Sequence, residues 1–294
     1  VKNLPAGKKV RVWIPAAHSD PYQDVKIISA KGDLPLTKTS ESRFGNQIYY
    51  AETRSAQPEL HFDVEYDVTR YERTALGPTD PHMVPVSISS SEKLQDLQAD
   101  VLVPVTGLPA DLAEKVTLGK TNPLDKARAI YDYVFTTMRY DKTGTGWGHG
   151  DVLYACDAKK GNCTDFHSLF IAMARSQGIP ARFEIGFPLP PDKHSAEIAG
   201  YHCWSDFYVD GKGWIPVDIS EAWKHPERRD YFFGSHDVHR MQFSMGRDLK
   251  LSPPQDGKPL NYFVYPYVEV DGREFPNVSL AFSFTDADAA MAKR

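Results

Sequence analysis

The sequence predicts an α+β protein, with an N-terminal antiparallel β-sandwich followed by a core in which one helix packs on an antiparallel sheet. Three observations carry this. Short alternating strand-like runs fill residues 1–74, two well-capped helical runs follow, and three strand candidates come after the second helix. The expected division is a β-sandwich-like domain over 1–85, a lead-in linker over 86–120, and a core over 121–294 that includes a C-terminal β extension.

The early strands are KKVRVWIP, where Val10, Val12 and Ile14 share one face, then VKIIS, NQIYYAE and ELHFDVEYDVTRY, separated by Pro, Gly, Asp and Ser clusters. No catalytic grouping falls here, and His18 and His61 read as incidental. Residues 75–120 have weak periodicity and hold Pro78, Pro81, Pro85, Pro104 and Pro109. Asn122-Pro123 then opens a helix, Asn as N-cap and Pro at the first helical position. Leu124, Ala127, Ile130, Tyr131 and Val134 line its apolar face as far as about Met138. TGTGWGHGD (143–151) is a Gly-rich loop without the Lys-Ser or Lys-Thr of a phosphate loop.

GNCTDFHSLFIAMARSQGI (161–179) is the second helix. Asn162 caps it, and Asp165 is an imperfect capping-box partner. Phe166, Leu169, Phe170 and Met173 recur at helical spacing, and Gly178 before Pro180 ends the run. Cys163 therefore stands at a helix N-terminus, where unpaired N–H groups and the macrodipole favour thiolate. Strands follow over 181–188, 200–209 and 213–220, the last two joined by Asp210-Gly211-Lys212. A three-residue loop pairs residue 209 with 213. Trp204 then lies opposite Asp218, with His202 diagonal to it, roughly 7–8 Å away at Cα. By alternation His202 shares a face with Trp204 and Asp206, and Cys203 points to the opposite face as packing. LNYFVYPYVEV (260–270) and VSLAFSFT (278–285) read as further strands, and DADAAMAKR as a frayed end.

Hydrophobic residues are 41% and charged residues 25%, ordinary for a globular chain, and the net charge of −5 offers no basic footprint for nucleic acid. No apolar run is long enough to span a bilayer. Cys156, Cys163 and Cys203 are too few for a disulfide scaffold; if Cys163 is not bridged, Cys156 and Cys203 either bridge or stay as buried thiols. His236 and His239 form a His-x-x-His without a second ligand pair, so neither metal nor cofactor is expected. The chain begins at Val1 rather than Met, which is read as processing or truncation upstream; the expected setting is periplasmic or secreted, otherwise cytoplasmic. The composition leaves the oligomeric state open.

With Gly161-x-Cys163 opening a helix, Gly178-Ile-Pro-Ala-Arg182 after it, His202-x-Trp204, and Gly213-Trp214 leading to Val217-Asp218, the chain resembles the transglutaminase-like superfamily, related in architecture to papain-type cysteine peptidases. The resemblance covers about 120–220 and is specific because four elements occur in order. The β-rich segment before it is similar to that of bacterial members. It implies Cys163 as nucleophile, His202 as general base and Asp218 as the residue orienting it. Cys203 stands where the family often has Ala. The second oxyanion donor is not aligned; Trp147 and Tyr140 are the candidates. Trp204 and Trp214 are expected as cleft walls.

Each residue has a bland alternative. A lone Cys in a helix is usually core, and a His–Asp pair is often a structural hydrogen bond. His167, one turn beyond Cys163, leaves little room for substrate and is set aside as base. Arg247-Asp248 reads first as an ion pair locking the C-terminal segment, second as a substrate clamp. The expected activity is acyl transfer from a peptide or Gln carboxamide through Cys163, as peptidase, amidase or transglutaminase. The expected partner is a peptide or protein. A binding module on an unused scaffold is the alternative, disfavoured by the intact Cys, His and Asp.

Overall fold

The computed structural model describes residues 1–55, 57–77 and 87–287. The expected boundary at 85/86 and most of the expected frayed end lie outside them. In chain order the elements are β1 (Lys9–Ala16), β2 (Gln23–Gly32), β3 (Thr37–Ser40), β4 (Gln47–Arg54), β5 (Phe62–Arg70), β6 (Arg73–Thr74), α1 (Ser90–Gln95), α2 (Leu108–Val116), α3 (Pro123–Thr137), β7 (Arg139–Tyr140), α4 (Val152–Ala158), β8 (Lys160–Gly161) and α5 (Cys163–Ser176). They continue with β9 (Ala181–Pro188), β10 (Ser195–Glu197), β11 (His202–Val209), β12 (Gly213–Val217), α6 (Ile219–Lys224), β13 (Ser235–His236), β14 (Arg240–Met245), β15 (Tyr267–Val270), β16 (Arg273–Glu274) and β17 (Ser283–Thr285).

Two compact units are present, and both are discontinuous in sequence. The first joins Val1–Tyr71, Ile185–His202 and Val238–Arg294; the second joins Glu72–Glu184 and Cys203–Asp237. The C-terminal strands thus belong with the N-terminal ones, an assembly that a reading by contiguous segments does not reach.

The first unit holds a five-stranded sheet in the order β16-β15-β1-β4-β3 and a β2-β5 ribbon. β1 pairs antiparallel with β15 (Val12 opposite Val268) and β4 (Ile14 opposite Tyr49). Alternation along β1 splits its side chains as expected. Val10 and Val12 bury with Leu4, Leu60 and Val268, with Ile14 packed against them, while Trp13 buries with Ile48, Leu249, Leu251 and Phe263 on the other side. Arg11, also buried, pairs with Asp256 and Glu269. In the ribbon Lys26 lies opposite Asp67 and Ile27 opposite Tyr66, and an irregularity shifts the register between Ile27 and Ser29.

In the second unit, Ala181–Glu184 of β9, Cys203–Val209 of β11 and all of β12 lie side by side in the order β12-β11-β9. β11 and β12 are antiparallel, with Val209 opposite Gly213 and Ser205 opposite Val217, the register the three-residue turn predicts. α5 is buried along almost its whole length, from Cys163 to Arg175, its polar residues Thr164, Asp165, His167, Ser168 and Arg175 included. It packs on the sheet through Phe170 and Phe207, whose ring centroids are 6.0 Å apart. Its C-terminal end is held by Arg175, which donates to Asp100 and to the Gln98 and Ala181 carbonyls.

Several expectations need correction. The lead-in expected over 86–120 contains α1 and α2, whose caps are a Ser89–Glu92 capping box and a Gly107-Leu108-Pro109 start. The strand expected over 213–220 stops at Val217, because Asp218 caps α6 and accepts from the Glu221 N–H at 3.0 Å. Of the strands expected over 260–270 and 278–285, only Tyr267–Val270 and Ser283–Thr285 form. Arg247 donates to Asn261 within the C-terminal segment.

Candidate active site

Asn162 and Asp165 build the start of α5. The Asn162 side chain accepts from the Thr164 N–H at 2.9 Å, and Asp165 accepts from the Asn162 N–H at 2.9 Å, completing the capping box. Asp165 also accepts from the Gly148 and Gly150 N–H groups at 2.7 and 3.0 Å. One buried carboxylate therefore ties the Gly-rich loop to the helix that Cys163 opens. Burial pushes the Asp165 carboxyl up, and the three backbone donors oppose it. Gly161 is required by close approach, since a Cβ there would run into Asp165.

Cys163 itself is 2% exposed. His167 links its backbone to that of Ile219. The Ile219 N–H donates to His167 Nε2 at 3.1 Å, so that nitrogen accepts and the ring proton sits on Nδ1, which donates to the Cys163 carbonyl at 2.8 Å. Both ring nitrogens of His167 thus engage backbone groups. Asp218 Oδ1 lies 3.6 Å from His167 Nε2 and accepts from the Ser220 hydroxyl.

His202 opens β11 and is 6% exposed. Its neighbour Cys203 does not point away from the helix as alternation was expected to place it. The Cys203 thiol lies 3.6 Å from Thr164 Oγ1 and 3.9 Å from His167 Nδ1. The helix covers the Cys203–Phe207 face of β11, and the Trp204–Asp206 face looks the other way. Burial first, then contact with the Cys163 side chain, raises the Cys203 thiol pKa.

The four aromatic candidates separate. Tyr140 pairs with Gly161 across β7 and β8, two residues before Cys163. It packs on Phe166 and Trp223, with Lys224 Nζ 4.4 Å from its ring centroid. Burial, then the nearby Cys163, pushes its phenol up to about 12. The Trp147 indole N–H donates to the Gly144 carbonyl at 3.1 Å, inside its own loop. Trp204 is fully buried and donates to Glu184 at 2.7 Å, so it is core rather than cleft wall. Trp214 is covered by Arg182, 4.1 Å from its ring centroid. Asp165 and Lys224 were missed as parts of this neighbourhood, and Cys203, inside His202-x-Trp204, was assigned to packing on the opposite face. The Asp165 position carried a sequence signal, its capping-box spacing. Among the described residues no cluster of His, Cys, Asp or Glu could hold a metal, and no helix is long and apolar enough to cross a membrane.

A buried cysteine thus opens a helix that lies on an antiparallel sheet. Residues 110–219 match the model of the transglutaminase-like superfamily. An uncharacterized protein of Haemophilus influenzae is 28% identical over 307 residues, 92% of this chain and 83% of its own. A solved structure from Cytophaga hutchinsonii, described as a proposed cysteine protease, shares the fold. It matches with a TM-score of 0.57 at 16% identity and covers 97% of this chain and 91% of that one. The periplasmic domain of TgpA from Pseudomonas aeruginosa, bound to ethylmercury, matches with a TM-score of 0.41 at 19% identity, over 77% of this chain and 76% of that one.

Proposed function

We propose that the protein is a cysteine-nucleophile acyl-transfer enzyme acting on a peptide bond or a Gln side-chain carboxamide. The Cys163 sulfur attacks the amide carbonyl, the C–N bond breaks, and an acyl thioester forms. In this reading His202, the first residue of β11 and beyond the ladder that pairs Ser205–Val209 with β12, takes the thiol proton and delivers it to the departing amine or ammonia, and Asp218 orients His202. Water or an amine then accepts the acyl group. The observation that supports this most is Cys163 as the first residue of α5, behind a capping box that fixes the helix start around it. Tyr140, beside Gly161, is the favoured side-chain donor to the oxyanion.

The test is acyl-enzyme trapping. Wild-type protein, Cys163→Ala and His202→Ala are incubated with a complex mixture of peptides and Gln-containing proteins and analysed by intact mass spectrometry. An adduct on Cys163 of the wild type alone is expected, and its mass identifies the acyl donor. Iodoacetamide modification of Cys163 no faster than of Cys156, with no adduct, would leave the scaffold as a binding module.

A further inference from the structure

Two thiols meet at the start of α5. Cys163 is its first residue, and Cys203 reaches toward it from β11, its thiol 3.6 Å from Oγ1 of Thr164, the next residue, and 3.9 Å from Nδ1 of His167 one turn on; the nearby Cys163 thiol helps to raise that of Cys203. Neither is held in a disulfide. The acyl-transfer steps above leave Cys203 without a part. The third thiol, Cys156, stands apart in α4.

We propose that Cys203 is a resolving thiol: a hydroperoxide oxidises Cys163, and Cys203 then closes a reversible Cys163–Cys203 disulfide that shelters the nucleophile from irreversible oxidation. This rests on the reading of Cys163 as the reactive thiolate. In the first step the Cys163 sulfur attacks a peroxide oxygen. An S–O bond forms, the O–O bond breaks, and the departing oxygen takes a proton to leave as water or an alcohol. The sulfur, now a sulfenic acid, has lost two electrons to the peroxide. In the second step the Cys203 sulfur attacks the Cys163 sulfur. The S–S bond forms, the S–O bond breaks, and the hydroxyl leaves with the Cys203 proton as water. Two molecules of a small thiol reverse the bridge and become a disulfide themselves.

The geometry favours this route over a second oxidation. The resolving sulfur is already beside the nucleophile, whereas another peroxide must enter a site where Cys163 is 2% exposed. The two cysteines also lie on different elements, so the bridge would tie β11 to α5 and remove the nucleophile from use.

The test treats the whole protein with hydrogen peroxide, blocks free thiols, digests without reductant and maps the peptides by mass spectrometry. A linked pair containing Cys163 and Cys203 is expected, with loss of iodoacetamide labelling at Cys163 that dithiothreitol restores. In Cys203→Ala, Cys163 labels as in the wild type before oxidation, then accumulates sulfinic acid that dithiothreitol does not reverse. Sulfinic acid at Cys163 of the wild type without a linked pair, or equal recovery in Cys203→Ala, overturns the resolving role while the nucleophile reading stands. Cys163 inert to both iodoacetamide and peroxide overturns both.

Discussion

Glu184→Gln tests the electrostatics of the sheet face that α5 does not cover. Glu184 Oε2 accepts from the Trp204 indole, and Oε1 lies 3.1 Å from Arg182. Asp206, next to Glu184, accepts with both oxygens from one Arg73 nitrogen, at 3.1 and 2.9 Å, and from Arg182 at 3.0 Å. Burial, then the Asp206 charge, pushes the Glu184 carboxyl from 4.5 up to about 7. Burial would raise Asp206 as well, but the two guanidiniums outweigh it and hold Asp206 low. Of the two carboxyls, Glu184 is therefore the one that holds a proton more readily, beside an Asp206 kept charged by the guanidiniums. The folded-state value of Glu184 lies above its unfolded value. Its contribution is therefore fully present below about pH 4.5 and is lost as pH rises through about 7. That rise corresponds to about 3 kcal/mol. Gln copies the protonated acid and cannot ionise. Urea unfolding of both proteins from pH 4.5 to 8 should show the difference in stability moving by about 3 kcal/mol in favour of Glu184→Gln as pH rises. A difference that stays constant across this range would refute the raised Glu184 carboxyl.

Asp165→Ala leaves the Gly148, Gly150 and Asn162 N–H groups without their acceptor. A loss of about 3–5 kcal/mol in urea unfolding is expected, with faster amide exchange at Gly148 and Gly150. Tyr140→Phe removes a phenol held up to about 12, whose stabilising contribution is present below pH 10 and lost as pH climbs through about 12. The variant should lose less stability than the wild type over that alkaline window, and its acyl-enzyme should form more slowly if the hydroxyl serves the oxyanion.

Much of the fold was legible because its signals are local. Asn122-Pro123 and Asn162 each cap the helix they announce, and β9 covers the residues its apolar run marks out. The β11–β12 register follows from the length of the turn alone. The missed elements had competing local signals. Asp218-Ile-Ser-Glu221 is a helix start inside what reads as strand, because the capping spacing was masked by the apolar run before it. Cys203 was assigned away from the helix because alternation tells which residues share a face, not which face the helix covers.

By itself the sequence determined which residues cap, turn and alternate, and so put Cys163 at the start of a helix and set the register of the β11–β12 hairpin. Only the tertiary structure decided what those residues meet. It set Asp165 on the backbone of the Gly-rich loop, His167 between Cys163 and Ile219, and Cys203 against Thr164. Caps and turns form within a few residues of chain and leave a pattern at fixed spacing. Contacts between distant segments depend on which faces pack together, and no spacing records that.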